Sequence, residues 1–419
     1  MSLLSRIGAA LAGLQHKNVQ ASAGATFTSL YDPDLLEYLR GGSQTASGVY
    51  VTALSALHNT AVFRCVDLIS SAIGMLPLHL YEDDDQSRKA IEHPLYDLLY
   101  AEPNDWQSAM EFRSLMQMRA LVHGNAYAMI VRSRGRVSAL IPIDPERVQP
   151  EQQANWSIVY HYTRSDGRVI DLPASDVFHL RGLSYDGILG LSRTKLAREA
   201  IGLALQAETA AARLFSNGMM VGGALTHPHK LSPEAQALLR QSMEDRFAGA
   251  ENAHKWMILE EGMKPERFST TSAEAQHIEN RRHQIEEIAR VFGVPRPLLM
   301  MDDTSWGSGI EQLGIYFVQH ALQPWFTAWE QTIRRSLLTS TEKRVYKAKF
   351  NERGLLRGTL ADQATFFAQA LGSGGHRPWM TPNEIRGLQE MGRRDDPGAD
   401  SMDPVSQPKP ATSQEATAP

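Results

Sequence analysis

The stretch from Ser272 to Leu338 constrains the fold more than any other, because it spells two helices that cannot join into one. In the first, Ile278, Ile285, Ile288, Ala289 and Phe292 recur at helical spacing along one face, with Gln276, Glu279, His283, Glu287 and Arg290 opposite. Gly293 ends it. Val294-Pro-Arg-Pro297 forbids continuation, since proline has no N–H to donate and pushes its predecessor out of the α region. Leu298 to Gly309 then carries glycines, carboxylates and an indole, the composition of a polar loop tip. From Ile310 the helical spacing resumes through Leu313, Phe317, Ala321, Ala328, Ile333 and Leu337, and Pro324 within it predicts a kink. A loop held between two long helices is suited to touching something that moves.

The other segments arrange themselves around that stretch. Gly41 to Gly48 reads as a linker, Leu57 to Met75 as a helix, and Leu78 to Tyr81 as a short strand ending in the acidic turn Glu82-Asp-Asp-Asp85. That turn lacks the central glycine and terminal glutamate of a calcium loop and reads as solvated. Ser108 and Glu111 have capping-box spacing at the start of a helix running to about His123. Period-two segments follow at 128–132, 137–143, 156–162, 169–172 and 177–180, predicting a small, mainly antiparallel sheet beside the helices, an α+β unit. An alanine-rich helix, Thr194 to Phe215, and the helix ending at Gly293 bracket a compact insert, Met219 to Ser269. Strands are predicted in the insert at 223–226, 254–259 and 263–268, with a helix begun by Ser232-Pro-Glu234. Both its ends return to long helices, so it should form a knob on a two-helix stalk. A strand at 344–351 and helices at 360–371 and 382–391 complete the fold, and the polar chain from Arg393 onward is expected to be disordered.

Composition excludes several classes. The 419 residues, 42% hydrophobic, can bury more than one core, and a net charge of −5 provides no global basic field to recruit nucleic acid. The lone Cys65 cannot form an intrachain disulfide and lies in an apolar pattern, as a small buried residue would. No run reaches the roughly 18 apolar residues that span a membrane, and Met1 to Leu14 fits a short amphipathic arm better than a signal peptide. There is no Gly-x-x-x-x-Gly-Lys-Ser/Thr phosphate loop and no Cys-x-x-Cys, and Ser192 lacks the second glycine of a nucleophile elbow. His227 and His229 flank Pro228 as a surface turn would, and Asp302-Asp303 reads as a loop tip before it reads as an ion site. The residues point to no catalytic group, no metal and no cofactor.

The order of segments resembles the portal proteins of tailed bacteriophages, in the family that accompanies capsids of the Hong Kong ninety-seven type. The residues carrying the likeness are Val62 to Pro77, His93 to Leu99 with Pro103-Asn104, Gly124-Asn-Ala-Tyr127, Pro173 to His179, Asp186 to Ser192, Phe292-Gly-Val-Pro295 and the block from Ser305 to Leu338. Each is weak alone. Their order and spacing across most of the chain are specific.

The resemblance implies a multi-domain α+β portal fold. Its parts would be an N-terminal arm (1–44), a mixed α/β wing (45–193), a first stem helix (194–217), a small α/β clip (218–270) and a second stem helix (271–294). A tunnel loop (295–309), a long kinked helix with a strand returning to the wing (310–359), crown helices (360–394) and a disordered tail (395–419) would follow. It further implies a homo-oligomeric ring, typically of twelve subunits, at one capsid vertex of the virion, assembled in the host cytoplasm. The implied partners are double-stranded DNA in the channel, the terminase large subunit, the major capsid protein and a head–tail adaptor, with no membrane. Energy for packaging would come from the terminase, since this chain has no phosphate loop.

Residue by residue, the tunnel loop would present Asp302, Asp303, Thr304, Ser305, Trp306 and Ser308 to DNA, with Trp306 equally suited to packing on a neighbouring loop. The clip would offer His227, His229, Lys230, Glu260 and Glu261 to the terminase or adaptor. Arg281, Arg282, Arg334 and Arg335 are candidates for channel contacts or for ion pairs between subunits. Twelve copies at −5 would sum to about −60, a charge suited to a sliding conduit rather than a tight DNA grip. Two other readings stay open: the portal of a domesticated gene-transfer particle, and a non-viral ring scaffold that binds no DNA.

Overall fold

The computed structural model describes residues 43–83, 88–216, 223–226, 233, 238, 264–267, 271–301, 309–352, 360–375, 377–389 and 391–402. A two-residue antiparallel pair, β1 (Ser43–Gln44) and β2 (Tyr50–Val51), leads into α1 (Ala53–His58) and α2 (Thr60–Met75). The helix expected over 57–75 is thus two helices. Asn59 takes an extended conformation between them, and its side-chain oxygen accepts from the N–H groups of Ala61 and Val62, capping the second where the first ends. α2 buries Val62, Cys65, Val66, Ile69 and Ile73, and burial pushes the Cys65 thiol up to about 12.

α2 crosses α4 (Ala109–His123), which opens with the expected Ser108–Glu111 capping box. The helices approach so closely that a methyl group on Gly74 would fall 2.0 Å from Ser114 Oγ. The buried Arg113 ties the crossing to α3 (Pro94–Tyr100), donating to the Gly74 carbonyl at 2.7 Å and the Leu99 carbonyl at 2.8 Å.

Two three-stranded antiparallel sheets stand beside these helices. One has the order β5 (Arg136–Ile143), β4 (Asn125–Ser133), β9 (Val177–Arg181), and the other β6 (Val148–Gln152), β7 (Ile158–Thr163), β8 (Val169–Pro173). The sequence suggested one sheet because β6 is polar and contains Pro150, which demotes a strand signal; as an edge strand it tolerates that proline. Tyr127, Ile143, Val148, Tyr160 and Val177 form a small core that joins the two sheets. A separate pair, β3 (Leu78–Glu82) with β12 (Tyr346–Phe350), closes the chain's late strand onto its early one.

Ser192 caps the short α5 (Arg193–Leu196), Ala197 breaks helical geometry, and α6 (Arg198–Ser216) continues outward. The chain returns along it in α7 (Thr271–Phe292), ended as expected by Gly293 at φ +74°. Of the insert between them, β10 (Gly223–Thr226) and β11 (Lys264–Arg267) are described as an antiparallel pair, while the strand expected at 254–259 lies outside the described residues.

Next come α8 (Gly309–Phe317), a wide π turn (Val318–Leu322) and α9 (Gln323–Ser336). Next to Pro324, where a kink was expected, the helix carries this π turn; the proline has no N–H to donate to the His320 carbonyl. α9 drives Trp325, Phe326, Trp329 and Ile333 into the main core, against β9 and β12, with the Trp329 ring edge-on to Phe112 of α4.

α10 (Leu360–Ala370) and α11 (Pro382–Leu388) follow. Residues 391–402, where disorder was expected from Arg393, fold back on α11. The Asn383 amide donates to the Arg394 carbonyl and to Asp400, and Asn383 N–H to the Ala399 carbonyl.

Candidate channel and assembly surfaces

Three sequence motifs meet where α5 begins. The Asn125 side-chain oxygen accepts from Gly190 N–H at 2.8 Å and lies 2.9 Å from His179 Nε2, while Ser192 Oγ donates to the Val122 carbonyl at 2.6 Å. Gly190 permits this contact: a Cβ there would sit 2.1 Å from the Gly124 carbonyl oxygen. Gly124-Asn, Phe-His179 and Gly-Leu-Ser192 therefore act as one joint. Burial lowers His179 to about 3, so it serves the joint as a neutral ring.

A second fastening lies where α5 begins and α7 ends. The Arg193 guanidinium donates to the Phe292 carbonyl at 2.6 Å and lies 5.5 Å from the centre of the Trp325 ring. Burial lowers the pKa of this arginine. One side chain thus pins the start of α5, the end of α7 and the start of α9, just before the chain leaves through Pro295. Neither fastening was read from the sequence. Gly124-Asn and Gly-Leu-Ser were visible as motifs, but no local signal tells which carbonyl Arg193 reaches.

Farther out, Arg281 Nη2 lies 3.4 Å from Glu208 Oε1, an exposed pair linking α7 to α6. Arg282 is exposed. Around them Arg296 pairs with Glu286 at 2.9 Å and His283 lies 3.7 Å from Glu287. Much of the wet face of α7 is thereby matched in charge within its own chain.

Arg334 and Arg335 lie elsewhere, at the end of α9. Arg334 donates to the Lys343 carbonyl at 3.0 Å and Arg335 to the His179 carbonyl at 3.0 Å. Burial, and then the neighbouring Arg181, lower the pKa of Arg335. The four arginines thus form two separate pairs. The residues expected in a tunnel loop, Asp302, Asp303, Thr304, Ser305, Trp306 and Ser308, and those expected in a clip, His227, His229, Lys230, Glu260 and Glu261, lie outside the described residues. Among the described residues no group of three or more His, Cys, Asp or Glu side chains is placed to hold a metal, and no helix is long and apolar enough to cross a membrane.

Helices packed beside two antiparallel sheets, with the long pair α6 and α7 leaving and returning, define a mixed α/β chain. A chain from the neck of an empty gene transfer agent particle, computed with C6 symmetry, shares the fold with a TM-score of 0.60 at 22% identity, over 86% of this chain and 98% of that one. In sequence, the description of the phage portal protein family matches residues 60–390. The portal protein of Enterobacteria phage HK97 is 36% identical over 80% of this chain and 79% of its own length. The probable portal protein of Streptomyces phage phiC31 is 31% identical over 91% of this chain and 84% of its own. The chain belongs to the phage portal protein family.

Proposed function

We propose that copies of this chain form a ring at the unique capsid vertex, the channel through which a terminase packages DNA and through which the DNA later leaves. The role is structural: it supplies geometry and a gate, and the motor supplies the energy. Stem helices α6 and α7 would line the passage, the insert between them would form the clip that meets terminase and then adaptor, and residues 302–308 would project into the channel. The observation that carries this reading is the Arg193 fastening. It makes a fixed root of the point from which both the stem and the segment leading to residues 302–308 depart, as a loop that must contact moving DNA requires. Deleting Asp302 to Ser308 should leave rings intact under the electron microscope while impairing DNA packaging or retention. Loss of the ring itself would refute the loop assignment.

The likeness to a gene transfer agent neck favours one second reading, the same ring in a particle that packages host DNA. Sequencing the nucleic acid inside purified particles separates the two: one defined viral genome or fragments of the host chromosome.

A further inference from the structure

Beside the end of α9 lies a cavity of about 870 Å³, walled by the β4–β5 hairpin, by β7 and β9, and by the segment from Leu337 to Lys343. Five cationic side chains line it, Arg132, Arg136, Arg181, Arg335 and Lys343, against one carboxylate, Glu342. That carboxylate is already engaged: it accepts from the N–H and hydroxyl of Thr339 at 2.8 Å each and lies 3.1 Å from His93 Nε2. Arg132 has Asp176 at 3.0 Å. Arg181, Arg335 and Lys343 donate to backbone carbonyls, of Ile188, His179 and Arg335 respectively. No carboxylate among the described residues stands within ion-pair distance of these three or of Arg136. Like charges gathered in a recess without counterions cost stability, which an anion entering the recess would relieve.

We propose that this cavity binds a phosphate-bearing anion of nucleotide size. Guanidinium forks match phosphate oxygens bidentately, and the hydroxyls of Ser175 and Ser340 on the wall add further hydrogen-bonding groups. The volume falls within the roughly 300–1,000 Å³ of small-molecule sites. Val137, Ile158 and the Tyr346 ring supply the apolar and aromatic wall that a nucleobase needs. An acidic peptide spreads its charges along an extended chain at about 3.3 Å per residue, whereas these cations converge on one recess, which suits a compact polyanion. The chain as a whole carries −5, so the site is a local feature and not part of a basic surface. No residue of α6 or α7 lines it, and Arg335, a candidate channel contact from the sequence, is the one residue the two readings share. The phosphate can come from a free nucleoside triphosphate or from the end of a nucleic-acid strand.

The test is calorimetric titration and thermal melting of the full-length protein with tripolyphosphate, ATP and a short single-stranded oligonucleotide, each against sodium chloride of equal ionic strength. Tripolyphosphate and ATP should bind at one per chain and raise the melting temperature. Arg335→Gln and Arg136→Gln should each weaken binding by about tenfold or more. ATP binding without competition from the oligonucleotide assigns the site to free nucleotides, and competition assigns it to strand ends. Responses no larger than those of matched salt, or binding unchanged in Arg136→Gln, overturn the proposal. Arg136 lines the cavity and is exposed, so its replacement decides even if Arg335→Gln fails to fold.

Discussion

The indole N–H of Trp329 donates to the side-chain carbonyl of Gln117 at 3.0 Å, joining α9 near the end of the chain to α4 near its beginning. Both residues are fully buried, and the Gln117 amide nitrogen has no partner among the described residues. Gln117→Leu should therefore lower unfolding free energy by about 1–3 kcal/mol, the cost of an orphaned buried donor. Adding Trp329→Phe should recover less than the indole's own packing is worth, so the double-mutant cycle by urea unfolding should show clear coupling.

Arg193→Lys should behave as a loss and not as a conservative change. A lysine keeps the charge but cannot both reach the Phe292 carbonyl and lie flat on Trp325. A loss of about 2 kcal/mol is expected, and protease nicking should rise near Pro295. Equal stability of the lysine variant would show that the fastening does not hold α5, α7 and α9 together.

Gly190→Ala should disrupt folding rather than trim it. The added methyl would overlap the Gly124 carbonyl, a backbone atom that cannot rotate aside, and Gly124 itself sits at φ +83°. A loss of about 3 kcal/mol or more, or insoluble protein, is the expected result.

The Arg281–Glu208 pair is exposed on both sides, and such pairs contribute about 0–1 kcal/mol. Arg281→Ala should leave thermal stability nearly unchanged. If the same variant alters ring assembly or packaging, Arg281 acts on a neighbouring subunit or on DNA, which separates the two roles considered for it.

Stability should fall in mild acid. Burial, then the positive charges of Lys89 and Arg113, lower His79 to about 4; burial, then Arg181 and Arg335, lower His179 to about 3. Below 6.5 the unfolded chain takes up these protons while the folded chain does not. Stability is therefore full above that pH and declines as pH falls toward 4, by up to about 1.4 kcal/mol per pH unit for each histidine. The exposed His161, bridging Asp171 and Glu151, is raised and acts in the opposite sense, its contribution being lost as pH rises through its folded value. His179→Asn should flatten the melting profile between pH 6.5 and 4.5, and an unchanged slope would show that His179 is not the group responsible.

Much of the fold was readable because local chemistry decides it. The stop at Gly293, the capping box at Ser108, the helices α6 and α7 and the strand returning from 346–350 depend on neighbours within a turn or on simple periodicity. The Asn59 break was missed because an asparagine between two apolar helical patterns looks like an ordinary wet-face residue until its side chain is seen capping. β6 was missed because its polar residues and Pro150 suit an edge strand, and an edge is defined only by the partner beside it.

The candidate site divides along the same line. The sequence by itself determined the family and the pair of long helices with an insert between them, since these rest on residue order and spacing. Only the tertiary structure decided that Arg281 and Arg335 belong to different surfaces, that Asn125, His179 and Gly190 form one joint, and that five cations from separate segments share one cavity. Contacts between residues far apart in sequence are set by how whole elements pack, and that packing leaves no mark in any short window of the chain.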